Sequence, residues 1–197
     1  MPVLDLLRPV RDEELRALSE REPGWRFERG ADGRLFVSPT GGEGGRMGRA
    51  ALGQLTVGTR PSPWGWSSTL PRGSSCPTAP SSSPDAAFAR KGRWLALTPE
   101  EREGFPPLAP GAAFEVRSRS QSVEELREKA ALYLKNGVGL VVLLDLYAHR
   151  VEVFRKKGAT FYQDQEAVPL DPGLPGFQPL AQGLFLALDA LPPLGEA

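Results

Sequence analysis

The sequence predicts an α/β fold, with a mixed central β-sheet flanked by helices in a single domain. Three observations carry that reading. Ser122-Val123-Glu124-Glu125 is a capping box, and it opens a helix with an apolar stripe of Val123, Leu126, Ala130, Tyr133 and Leu134 that Gly137 stops. Residues 139–144 are almost wholly apolar, as a strand buried on both faces should be. Trp25-Arg26-Phe27-Glu28-Arg29 and residues 113–117 alternate apolar with polar, the period of strands with one buried face.

The remaining elements follow in chain order. Residues 12–21 read as a first helix, because acidic residues lead and Leu15 and Leu18 recur at a helical interval. Pro23-Gly24 ends it. The strand at 25–29 turns through Gly30-Ala31-Asp32-Gly33 into a hairpin partner at Leu35-Phe36-Val37, closed by Ser38-Pro39-Thr40-Gly41-Gly42. Residues 43–55 fit a second helix, weakened at its start by Gly44 and Gly45. Ala86-Ala87-Phe88 reads as a short strand. Thr98-Pro99-Glu100-Glu101 supplies an N-cap, a proline at the first helical position and a glutamate reaching back, and Pro106 and Pro107 close that helix. Val151-Glu152-Val153-Phe154 lies beside the apolar strand. The core spans about residues 10–165, and 168–197 form a Pro-, Leu- and Gly-rich wrapping tail with one short helix. The order is helix, strand hairpin, helix, strands, helix, strands.

Composition narrows the function classes. A chain of 197 residues with 40% hydrophobic and 24% charged residues suits one soluble domain. No apolar run approaches a membrane span, and the first residues lack a signal-peptide cleavage site. Cys76 is the single cysteine, so no internal disulfide is expected; it reads as a bystander thiol in a reducing cytoplasm. The 24 basic and 24 acidic residues cancel, which argues against a protein that coats nucleic acid through a global field but leaves room for one local patch. Arg26, Arg29, Arg46 and Arg49 are candidates for such a patch, although a solvated face is the commoner meaning of such charges. Gly41-Gly42-Glu43-Gly44-Gly45 lacks the ending of a phosphate-binding loop and reads as a connection. His149, the single histidine, sits in an expected turn and is not read as a metal ligand.

Three acids stand at comparable places on strands: Glu28, Asp85 and Glu115. Each interrupts or follows an apolar pattern, so each can point from a sheet into a shared cleft. Carboxylates on neighbouring strands suit a hard divalent cation, which activates water and offsets phosphate charge. Arg117 lies two residues beyond Glu115 on the same strand face, and Lys129 lies on the following helix one turn before Tyr133. Either cation suits orientation of water or stabilisation of developing charge. Both have plainer readings: Glu125 and Lys129 make a helical ion pair at four-residue spacing, and Arg117 is a solvated edge residue.

The ordered set Pro84-Asp85, Phe114-Glu115-Val116-Arg117-Ser118, Ser120, Lys129 with Tyr133, Asn136-Gly137-Val138 and a strand ending at Asp145 resembles the bacterial Uma-two family. Pro23-Gly24-Trp25-Arg26-Phe27-Glu28 and Ser38-Pro39-Thr40-Gly41-Gly42 resemble it too, so the likeness covers most of 10–155. That family is placed in the PD-(D/E)XK nuclease superfamily. The resemblance implies a restriction-endonuclease-like core and metal-dependent hydrolysis of DNA, with magnesium or manganese as cofactor and no small-molecule cofactor. Glu28 then matches the N-terminal acid, Asp85 the first metal-binding acid and Glu115 the second. Arg117 stands where the usual lysine is expected, which moves that role to Lys129, with Tyr133 as an accessory. Cutting both strands of a duplex favours a homodimer. The competing class is a DNA-binding or assembly protein that keeps the fold without the chemistry.

Residues 58–83 break the pattern. They are dominated by Ser, Pro, Gly, Thr and Arg around Trp64 and Trp66, and they show no recognisable element where the family has a helix end, an aliphatic strand and a turn. One hypothesis is a shifted reading frame, with one base lost near Gly58 and compensated near Ser83. Second bases are then fixed, and they restore a buried strand leading into Pro84-Asp85. The rival reading is a genuine long loop.

Overall fold

The computed structural model describes residues 3–4, 6–29, 33–39, 65–68, 84–103, 106–118 and 121–185. The elements in order are β1 (Val3–Leu4), α1 (Asp12–Arg21), β2 (Trp25–Arg29), β3 (Leu35–Pro39), β4 (Gly65–Ser68), β5 (Ala86–Arg90) and α2 (Lys91–Leu95). There follow α3 (Pro99–Glu103), β6 (Ala112–Val116), α4 (Val123–Lys135), β7 (Leu140–Asp145), β8 (Arg150–Arg155) and β9 (Gly158–Tyr162).

Two sheets form. The small one runs β1-β3-β2, all antiparallel, with Glu28 opposite Phe36 in the hairpin. Helix α1 packs on it through Val10, Leu15 and Leu35, joined by Leu18, Phe27 and Val37. The large sheet runs β4-β5-β6-β7-β8-β9. Only β6 and β7 are parallel, because α4 makes the crossover between them; every other neighbour is antiparallel. The sheet is therefore mixed, as the alternation of strand and helix signals implies.

Sequence signals for the long elements match the structure closely. In α4, Ser122 Oγ accepts from the Glu125 N–H at 3.1 Å, and Glu125 Oε2 accepts from the Ser122 N–H at 2.8 Å. Gly137, with φ +90°, takes the left-handed turn beyond the helix. Thr98 and Glu101 make the same reciprocal cap before α3.

The structure differs from the sequence expectations in four places. Residues 58–83 are not without an element, since β4 pairs antiparallel with β5 along Gly65 to Arg90 and Ser68 to Ala87. A backbone ladder imposes this pairing; the local composition of Ser, Pro and Gly gives no hint of it. Strands β1 and β9 and helix α2 are additional, each too short or too exposed to show an apolar period. The core also extends past residue 165. Val168, Leu170, Leu174, Ala181 and Leu184 are all at most 1% exposed and cover one face of the large sheet against Phe114, Val142, Leu144 and Val153. Each buried leucine there contributes about 1.5–3 kcal/mol, so the described part of the tail, 168–185, adds to the core of the large sheet. Finally, Glu28 stands on the small sheet while Glu115 stands on the large one, so the three acids do not share a single sheet.

Three glycines let the tail approach. A Cβ on Gly111 would lie 2.6 Å from the Gly173 carbonyl oxygen, and one on Gly173 would lie 2.6 Å from Leu140 Cδ2. Gly139 meets the Gly111 carbonyl in the same way. The helix expected at 43–55 and Arg46, Arg49, Cys76 and Ser120 lie outside the described residues, as do the side chains of Arg26 and Glu28.

Candidate active site

The site is built on the helix-covered face of the large sheet. Strands β5 and β6 pair with Ala86 opposite Phe114, and one step further Asp85 comes beside Glu115. Asp85 precedes the strand, and its Oδ2 accepts the Val116 N–H at 2.9 Å, which ties the acid to the end of β6. Glu115 is 2% exposed although it carries a carboxylate. Isolated charges at such depth are costly, and this one is satisfied from above by α4.

Helix α4 rests on this face through Ala130, Tyr133 and Val138, which pack with Ala113 and Val141. The small side chains of Ala113 and Ala130 let helix and sheet come close. Lys129 and Tyr133, one turn apart, then face the same carboxylate. Lys129 Nζ lies 3.0 Å from Glu115 Oε1 and 3.2 Å from Oε2, and the Tyr133 hydroxyl donates to Oε1 at 2.8 Å. The ammonium also sits 5.8 Å from the centre of the Tyr133 ring. The plain reading of Lys129 as the partner of Glu125 fails, because Glu125 is turned to the N-cap and Lys129 reaches the sheet.

Arg117 is not a solvated edge residue either. Its Nη1 donates to both oxygens of Asp145 at 3.1 and 3.2 Å, its Nε donates to the Gln121 carbonyl, and its guanidinium lies 5.4 Å from the Tyr147 ring. Asp145 is 3% exposed and also accepts the Tyr147 and Ala148 N–H groups, which pins the turn after β7. Arg29 donates to the Val10 carbonyl, holding the small sheet to the segment before α1. His149 lies in the turn after β7, as its sequence suggests, with φ +47° and its ring beside Phe185.

One buried pair was not singled out from the sequence. Glu152, 3% exposed, receives Arg127 Nε on both carboxylate oxygens at 3.2 Å. Its signal was a charge between Val151 and Val153, the same signature that Glu115 shows between Phe114 and Val116.

Chemically, Asp85 and Glu115 supply hard oxygen donors on adjacent strands. Among the described residues no group of three or more His, Cys, Asp or Glu side chains forms a metal cluster. Two carboxylates still fit magnesium, which is commonly held by one or two carboxylates with water and substrate phosphate completing the shell. Among the described residues no helix is long and apolar enough to cross a membrane.

Comparison with known proteins agrees with this architecture. Residues 12–189 match the family described as "Uma2: Putative restriction endonuclease". That match spans most of the chain, and the protein belongs to this family. The fold is similar to a crystal structure at 1.96 Å described as a "putative nuclease belonging to DUF820" from Anabaena variabilis ATCC 29413. The TM-score is 0.68 at 19% identity, covering 91% of this chain and 99% of that one. No curated protein matches the sequence.

Proposed function

We propose that this Uma2-family chain is a magnesium-dependent endonuclease that hydrolyses DNA phosphodiester bonds. The observation that supports it most directly is Lys129 at 3.0 Å from Glu115 together with Asp85 tied to the Val116 N–H at 2.9 Å, which brings two acids and a cation to the end of β6. Asp85 and Glu115 would hold a divalent cation, which would supply Lewis acidity toward the phosphate and acidify the attacking water. The side chains do the rest. Tyr133 fixes the rotamer of Glu115, and the Val116 N–H fixes that of Asp85, so both acids are oriented before substrate arrives. Lys129 offers a donor to the attacking water or to a non-bridging oxygen as negative charge grows there. The water oxygen bonds to phosphorus, the bond to one bridging oxygen breaks, and the departing oxygen takes a proton. Glu28 is read as an additional acid of this site, and Arg117 as the positioner of the strand end through Asp145. Action on duplex DNA in the cytoplasm as a homodimer completes the reading.

Asp85→Asn tests it, because the amide oxygen still accepts the Val116 N–H while the charge is gone. Magnesium-dependent cleavage of plasmid DNA should fall by at least two orders of magnitude with the melting temperature nearly unchanged. Full cleavage by Asp85→Asn would remove the acid from the chemistry. The binding-only reading draws on one observation: the Glu115 carboxylate is already met by an ammonium and a hydroxyl. Retained DNA binding with no metal-dependent cleavage by the unaltered protein would favour it.

A further inference from the structure

The register of the large sheet places Glu115, Leu143, Glu152 and Phe161 in one cross-strand row, from β6 across β7 and β8 to β9. Glu115 and Glu152 face α4, so Phe161 stands on that face too, while its neighbour Tyr162 packs on the opposite one. Three strand spacings separate Phe161 from Glu115, about 14 Å. Phe161 is 47% exposed.

Two guanidiniums lie over that ring, Arg150 at 4.7 Å and Arg127 at 5.8 Å from its centre. They differ in one respect. Arg127 is neutralised by Glu152, as Arg117 is by Asp145 and Lys129 by Glu115. Arg150 forms no ion pair among the described residues; its guanidinium rests on the Phe161 ring. A cation stacked on an exposed ring and left without an acid offers its donors outward, toward a group of opposite charge. Two aromatic rings serve this face, since Tyr147, 44% exposed, carries Arg117 in the same manner.

We propose that Phe161 and Arg150 form a nucleic-acid strand site beside the Asp85–Glu115 centre, deepening the nuclease reading on which this rests. A base from an unpaired strand stacks on the Phe161 ring, and Arg150 holds an adjacent phosphate. Aromatic stacking of this kind tolerates any base, so the site adds affinity and strand placement rather than sequence choice. With no acid on Arg150 among the described residues, a phosphate is favoured over an apolar or cationic partner.

The test uses the full chain with a fluorescent duplex bearing a single-stranded tail, in EDTA so that no cleavage intervenes. Phe161→Leu keeps an apolar side chain and loses the stacking face; it should weaken binding about tenfold with an unchanged salt dependence. Arg150→Gln should weaken binding and lower the slope of log affinity against log salt by about one. Neither should shift the melting temperature, which separates a ligand contact from a staple between β8 and β9. Affinity within twofold of the unaltered protein in both variants would overturn this site alone. Failure of the unaltered protein to bind the probe would likewise overturn this site, and magnesium-dependent cleavage by the unaltered protein that Asp85→Asn abolishes would show that the nuclease reading stands without it.

Discussion

Lys129→Met takes the ammonium away from a carboxylate that the fold keeps from water. Glu115 is 2% exposed, and the Lys129 side chain is 13% exposed with Nζ 3.0 Å from it. Removing one partner from a buried pair costs about 3–5 kcal/mol, because the other charge is stranded. Tyr133 still donates to Glu115 at 2.8 Å, which places this variant at the lower end, about 3 kcal/mol. Glu115→Leu strands the lysine instead. Its head lies nearer solvent and can extend toward it, so about 1–3 kcal/mol is expected. The double variant removes both charges and takes the Glu115 acceptor from the Tyr133 hydroxyl, a cost of about 1–2 kcal/mol. The singles therefore sum to more than the pair, with a coupling of about 3 kcal/mol. Urea unfolding followed by tryptophan fluorescence and far-ultraviolet circular dichroism reads all four proteins. Additivity within about 0.5 kcal/mol would refute the reasoning, since it would mean the two groups do not meet in a water-poor site. All three variants should lack cleavage, including the double variant, whose stability lies close to that of the parent.

Further outcomes follow from the same structure. Gly111→Ala brings a methyl group 2.6 Å from the Gly173 carbonyl, so it should lower stability by about 1–3 kcal/mol in urea unfolding, whereas Gly24→Ala, with nothing nearby, should have a far smaller effect. Glu14 is held well below its ordinary pKa of 4.5, chiefly by the Arg8 hydrogen bond and then by the Arg11 N–H and side chain. A depressed folded pKa gives stability that is present above the unfolded value and is lost as pH falls through the folded one. The stability gap between the parent and Glu14→Gln should therefore be constant near neutrality and narrow below about pH 4.5. Intact mass with peptide sequencing across residues 55–85 addresses the reading frame: a mass matching the sequence given removes the frameshift hypothesis, and peptides carrying the decoded aliphatic segment before Asp85 support it.

Much of this fold was legible before any coordinates. Helix α4, strands β6 to β8, the β2–β3 hairpin and the cap of α3 are each announced by signals within about fifteen residues: a capping pair, a glycine stop or a period of apolar residues. Such signals are local, so they survive without knowledge of the rest of the chain. The identities of Asp85, Glu115, Lys129 and Tyr133 as a set also came from the order of motifs along the chain. Strand β4 was not legible, because its place at the sheet edge depends on a backbone ladder to β5 rather than on its own composition. Nor were Arg127 with Glu152 and Arg117 with Asp145, which join residues 25 and 28 positions apart.

What the sequence by itself determined is which residues form helices and strands and which of them carry unusual charge in apolar surroundings. Only the tertiary structure decided which cation meets which acid. Spacing allowed Lys129 to pair with Glu125 along its own helix; the capping requirement of Ser122 claimed Glu125, and the packing of Ala130 on Ala113 lowered Lys129 onto Glu115. Partner choice is a contest between groups far apart in sequence, and it is resolved by the register of strands and the phase of one helix above them.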